Sequence, residues 1–230
     1  MLQLKHLALY CGFLAILACQ LAAQDEPVTT TVCPNSDDDD ASRDGDLCEN
    51  FQSIRDLIDP EALANLIQTH FQCDSKFRKA LCYYNTSRFN LVIEQLQQSE
   101  AYATLLDELR TAGVNTSAID KIADIFDCIV LPLNTTTIEK CDCRAVRGHS
   151  FIGDVLAALP HQQVSDYSYT SSVRNTNFGI FRETITSPQF QAKLRSNLLK
   201  RDVVRALRVL RRNGWDLPEL LRGTMSMLSW

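Results

Sequence analysis

From Leu47 onward the chain places apolar residues three and four positions apart, which is the period of an amphipathic helix. Phe89, Val92, Ile93 and Leu96 form one such stripe. Tyr102, Leu105, Leu106 and Leu109 form the next, and Ile119, Ile122, Phe126 and Ile129 a third. No stretch sustains the alternation of a half-buried strand, so the pattern predicts an all-α fold. Boundary residues point to the same helices. Asp59-Pro60 and Ser187-Pro188 put a capping side chain before a proline at the first helical position. Gly113 and Gly214 follow the last apolar residue of their segments, where a left-handed cap suits glycine. Helices bounded this way run about 10 to 15 residues, roughly 15 to 22 Å, and depend on packing against neighbours.

The pattern also recurs. A slide of 100 residues matches Phe51 with Phe151 and Pro60 with Pro160; a slide of 101 matches Phe77 with Phe178, Phe89 with Phe190, Leu106 with Leu207, Leu109 with Leu210, Arg110 with Arg211 and Gly113 with Gly214. Chance identity of roughly 6 per cent would supply a handful of matches, so placement carries the weight. The matches are aromatic anchors, a helix-starting proline and a helix-ending glycine, in the same order. They predict two tandem copies of one helical unit of about 100 residues.

The flanks are different in kind. Residues 1–23 hold Lys5, an apolar run from Leu7 to Ala18 and small residues at Ala22 and Ala23, which predicts a cleaved signal peptide. Residues 24–46 are acidic, with Asp37 to Asp40 consecutive and no apolar period, and read as a disordered arm. Repeat 1 then occupies 47–130, a cysteine-containing linker 131–148 and repeat 2 149–230. With the signal peptide goes one basic residue, leaving 22 Lys and Arg against 28 Asp and Glu, a net charge of −6. That balance argues against nucleic acid as a partner. After Cys11 and Cys19 leave with the signal peptide, seven cysteines remain: Cys33, Cys48, Cys73, Cys82, Cys128, Cys141 and Cys143. An oxidising compartment then predicts up to three disulfides and one leftover thiol, with the pairing open. Sequons at Asn85, Asn115 and Asn134 fall in predicted loops and agree with export.

Catalytic chemistry is sparsely represented. The histidines of the mature chain, His70, His149 and His161, read as surface or loop residues. Gly148-His-Ser150-Phe-Ile-Gly153 has its second glycine one residue late for a nucleophile elbow, and no strand precedes it. Cys128, Cys141, Cys143 and His149 offer ligands that suit zinc, but in an exported chain disulfides outweigh a metal site. Asp40, Ser42, Asp44 and Gly45 open like a calcium loop that then closes on Phe51 where a glutamate is needed. No cofactor, metal or enzymatic activity is expected. Arg201, Arg205, Arg208 and Arg212 form a basic stripe opposite Val203, Val204, Leu207 and Leu210. Such a stripe is a solvated face or a transient contact with anionic head groups.

Three pairs of segments carry a resemblance: Asp74-Ser-Lys-Phe77 with Asn175-Thr-Asn-Phe178, Thr86-Ser-Arg-Phe89 with Ser187-Pro-Gln-Phe190, and Leu109-Arg-Thr-Ala-Gly113-Val-Asn115 with Leu210-Arg-Arg-Asn-Gly214-Trp-Asp216. In register they resemble the signatures of the insect allergen repeat family, which includes cockroach midgut allergen and midgut microvillar proteins. The resemblance covers about Leu47 to Leu228. It implies two tandem repeats of about six short amphipathic helices each, closing around an apolar cavity for fatty acids or phospholipids, with release at gut microvilli or into the lumen. Helical faces offer as candidates for its lining Phe51, Ile54, Leu63, Leu66, Ile67, Phe77, Phe89, Leu105, Leu109, Phe126, Phe151, Phe178, Phe190, Leu207 and Leu210. Periodicity by itself makes several of the same residues a compact core. The chain departs from the family's pattern in that its second repeat has the polar run Val164 to Thr176 where the first has an apolar helix from Ala62 to Phe71. The expected function is a secreted, non-enzymatic carrier of lipids or other apolar small molecules. Alternatives are a nitrile-specifier-like detoxification protein, acting on activated glucosinolates, and a structural protein of the microvillar surface.

Overall fold

The computed structural model describes residues 46–84, 86–122 and 141–230. Among them are eleven α-helices and no strand. The N-terminal series is α1 (Leu47–Arg55), α2 (Pro60–Cys73), α3 (Ser75–Tyr84), α4 (Ser87–Gln97) and α5 (Glu100–Thr111), followed by a 3-10 turn at Ser117–Ile119. The C-terminal series is α6 (Phe151–Ala158), α7 (His161–Val173), α8 (Asn177–Thr186), α9 (Pro188–Leu198), α10 (Arg201–Arg212) and α11 (Leu217–Leu228). The expected signal peptide, nearly all of the acidic arm, the calcium-like loop, Phe126 and most of the linker lie outside the described residues.

Local chemistry starts and stops these helices. Asp46, Asp59, Thr86, Ser99, Ser150, Thr176, Ser187 and Asp216 each accept a hydrogen bond from the backbone N–H three residues on. Each cap is worth about 1 kcal/mol. Pro60 and Pro188 stand at the first helical position as their spacing predicts. Pro160 differs: it is the residue before α7, with no side chain able to cap it. Gly113 and Gly214 take φ of +92° and +94°, and in both places the next residue's N–H reaches back five residues, from Val114 to Leu109 and from Trp215 to Leu210. That bond satisfies a carbonyl the helix end would otherwise leave open.

Helix bounds recur along the chain. Moving 101 residues on from α4 and α5 gives the bounds of α9 and α10. Packing recurs as well, but across the two series: α4 lies on α10 and α5 on α9, while α1 lies on α8 and α2 on α6. A salt bridge from Lys193 to Glu108 ties α9 to α5, and Trp215 donates from its buried Nε1 to the Ala80 carbonyl at 3.1 Å.

The polar run Val164 to Thr176 forms α7 despite its weak apolar face. Ser168 and Ser171 are buried there with Val164. Their small size brings α8 close. A Cβ on Gly179 would stand 2.4 Å from the Ser171 carbonyl oxygen. Backbone proximity therefore replaces large apolar side chains on this face.

Two outcomes follow from the caps. Gly113→Ala meets open space and costs about 1 kcal/mol in left-handed strain, whereas Gly214→Ala also drives a methyl into the Lys76 carbonyl and Ala80 and costs about 3 kcal/mol, both read by urea unfolding. Asp120 is held below the usual carboxylate range mainly by the Thr116 hydroxyl and also by Arg110, against the pull of burial. Its contribution is present above the unfolded carboxylate value and lost as pH falls through the folded one. Thr116→Val should raise that folded value, measured by NMR titration.

Candidate functional site

Every described residue of the expected lining belongs to one interior. Phe51, Ile54, Leu63, Ile67, Phe77, Phe89, Leu109, Phe151, Phe178, Phe190 and Leu210 are buried in it, and Leu66, Leu105 and Leu207 pack half-covered against its edge. The centre of this interior is an exchange of aromatic rings. Phe51 of α1 meets Phe178 of α8 edge to face at 5.4 Å, and Phe77 of α3 meets Phe151 of α6 at 4.6 Å. Phe51 matches Phe151 in the sequence recurrence, and Phe77 matches Phe178. The first helix of each series thus packs on the third helix of the other.

Sequence reasoning missed two large members of the same interior. Phe181 stands 5.8 Å from Phe51, and Trp215 stands 5.3 Å from Phe89. Both carried a signal: Phe181 is three residues past Phe178, and Trp215 follows the matched Gly214.

Where α3, α6 and α11 begin, their starts converge on a cleft of about 340 Å³. Phe77, Phe151, Ile152 and Trp215 supply its apolar lining; Asp74, Lys76, His149, Ser150, Arg211, Asp216 and Glu219 supply its polar lining. Its volume is at the lower end of the ~300 to 1,000 Å³ typical of small-molecule sites. The counterpart place, 101 residues away in register, is bridged by two hydrogen bonds. There Asn115 donates its backbone N–H to Asn177 Oδ1 at 2.7 Å, and Asn177 Nδ2 returns a bond to the Asn115 carbonyl at 3.2 Å. Lys76 and Asp216 hold the matching positions at the cleft, where Asp216 instead pairs with Arg211 at 2.8 Å.

A chain of ionisable groups runs from the cleft inward. Asp154 of α6 lies between two rings, with Oδ1 2.9 Å from His149 Nδ1 and Oδ2 2.9 Å from His70 Nε2. His149 lies on the cleft and is exposed. His70 is a correction to the surface placement expected from sequence: it is fully buried in α2, 5.2 Å from the Phe151 ring and 5.8 Å from the Phe77 ring. Its position three residues past Ile67, on the Leu63–Ile67 stripe, was the available signal. His70 Nδ1 has no hydrogen-bond partner, and Asp74 Oδ2 stands 3.7 Å from it. A ring carrying protons on both nitrogens would present a donor to each carboxylate. Ser150, by contrast, is occupied in capping α6 through the Gly153 N–H, and the segment before it forms turns.

Cysteine pairing is settled in part. Cys73, the last residue of α2, is bonded to Cys143 across 70 residues, beside the Asp74 wall of the cleft. Closing a loop of that length stabilises by about 4 kcal/mol in the chain-entropy account. Cys48 is also disulfide-bonded. Cys82 and Cys141, both offered as disulfide partners by sequence, carry free thiols: Cys82 lies on the exposed side of α3, and Cys143 pairs with Cys73 rather than with its near neighbour Cys141. Cys33 and Cys128 lie outside the described residues, as do Asn85 and Asn134. Asn115 is exposed, and its Oδ1 accepts from the Ser117 N–H at 3.0 Å. Among the described residues no group of three or more His, Cys, Asp or Glu side chains is placed to hold a metal ion.

The fold and its cleft thus define an all-helical protein whose two helix series interlock through a shared apolar interior. A family model, insect allergen related repeat, nitrile-specifier detoxification, matches residues 46–221. The chain belongs to the insect allergen related repeat family. No curated protein and no solved structure matches it.

The half-buried Asp154 carboxylate is open to a direct measurement. Asp154→Asn turns one of its two acceptors into a donor facing an imidazole, so it should cost about 2 kcal/mol in urea unfolding. His149→Ala, at the exposed end of the same chain, should cost under about 0.5 kcal/mol.

Proposed function

We propose that this protein is a secreted, non-enzymatic carrier of lipids or other apolar small molecules. In this reading the two helix series are the two copies of the family's repeat, closing around a space between their apolar faces. The supporting observation is the single interior shared by both series, built on the Phe51–Phe178 and Phe77–Phe151 exchanges and edged by the half-covered Leu66, Leu105 and Leu207. Helices of at most 14 residues close around a guest more readily than a long bundle does. Burial of an acyl chain gains ~0.8 kcal/mol per methylene before ordering costs, so a dozen methylenes give useful affinity. The Cys73–Cys143 disulfide fits an oxidising, extracellular compartment. With the leader-like first residues, it supports secretion, and membership of the insect allergen related repeat family supports the digestive tract or microvillar surface as the destination.

The test is mass spectrometry of ligands carried by the protein purified natively, together with displacement of a fluorescent fatty acid. Co-purifying lipid and saturable uptake are expected. Phe178→Ala, which opens the interior at the exchange, should change the affinity several-fold. Absence of both lipid and uptake overturns the reading. The family's printed description favours a second reading, nitrile-specifier detoxification, with the cleft at His149 as its place. Nitrile formation from an activated glucosinolate, lost in His149→Ala, would select it.

A further inference from the structure

Helix α10 buries Val203, Ala206 and Leu210 and turns Arg201, Arg205, Arg208 and Arg212 to solvent. Those spacings of four, three and four put the arginines in one line along the helix. None of the four side chains makes a hydrogen bond or ion pair among the described residues, in contrast to Arg211, which is held by Asp216. From Lys193 to Arg212 there are eight basic residues and one acidic residue, a net +7, in a chain whose formal charge is −5. At the start of this line, in the junction between α9 and α10, Leu199 is 78 % exposed, the most exposed large hydrophobic among the described residues. Uncompensated like charges in a row destabilise a folded protein slightly and contribute nothing to its interior. Their chemistry fits something outside it.

We propose that α10 is a docking face for an anionic bilayer, lying along the surface with its arginines among the head groups and Leu199 entering the acyl boundary. This rests on the carrier reading and supplies its delivery step. Charge complementarity selects an anionic surface. The exposed leucine selects a bilayer over a soluble polyanion, and the line of arginines presents no interleaved aromatic on which nucleic-acid bases would stack. Docking also has a consequence for the cargo. The C-terminal end of α10 supplies Arg211 to the cleft, and the cap that follows supplies Gly214 and Trp215. A bilayer against α10 therefore lies beside the junction of the two series.

The experiment uses the full secreted chain and vesicles of phosphatidylcholine, alone or with about a third phosphatidylserine. Binding is expected only to the anionic vesicles and should fall steeply when salt rises from about 0.1 to 0.5 M. Each arginine near such a surface carries about a fivefold effect, so reversing Arg201, Arg205, Arg208 and Arg212 to Glu should remove binding by more than about a hundredfold. The same four changed to Lys should retain it. Leu199→Ser should weaken it several-fold with the charge intact. Circular dichroism checks that each variant folds, and fatty-acid uptake is measured on the same samples. Uptake should survive the charge reversal, so failure of docking and failure of the carrier reading are read separately. Equal binding to neutral vesicles, or full binding by the Glu variant, overturns the proposal. Equal affinity for heparin overturns it in favour of a soluble polyanion. Binding that emerges only after residues 24–46 are removed overturns it in favour of the chain's own acidic arm.

Discussion

Two phenylalanine contacts hold the architecture together, Phe51 on Phe178 and Phe77 on Phe151, because each joins the first helix of one series to the third helix of the other. No described helix exceeds 14 residues, and helices of that length are marginal alone. Buried aromatic rings supply large apolar area with a preferred edge-on geometry, so they fix both the energy and the register of the crossing. Everything else is arranged around them: Phe181, Phe89 and Trp215 extend the aromatic layer, and the α4–α10 and α5–α9 contacts flank it. A half built this way is incomplete by itself, since its first and third helices find their aromatic partners in the other half.

The two series differ at their junctions. Asn115 and Asn177 are short neutral amides that satisfy each other across one junction. Lys76 and Asp216 stand at the matching positions of the other, where Asp216 is committed to Arg211 and to the cap of α11. The place stays open as a cleft. Beneath it the half-buried Asp154 and the buried His70 connect that opening to the interior, and Cys73–Cys143 braces its wall. A recurring backbone thus carries different polar residues at its two junctions, a bridging amide pair at one and a cleft lined by ionisable groups at the other.

Much of this was legible in the chain. The caps at Asp59-Pro60 and Ser187-Pro188 and the glycines at 113 and 214 are decided within a turn of helix, so local sequence was enough to place them. Apolar spacing similarly identified the buried faces of α4 and α10. Pro160 and α7 were harder, because Ser168 and Ser171 are buried through the close approach of Gly179, a contact between two helices that no periodicity within α7 expresses.

Sequence by itself determined the helical class, the family, the boundaries at Pro60, Gly113, Pro188 and Gly214 and part of the apolar interior, since each depends on spacing along one segment. Tertiary structure decided which helix meets which, the burial of His70, the partner of Cys73 and the gathering of the cleft's lining from three helix starts. Those depend on groups brought together from tens of residues apart. His70 and Asp154 are 84 positions apart, and Cys73 and Cys143 are 70. Only the closed chain brings such pairs within bonding distance.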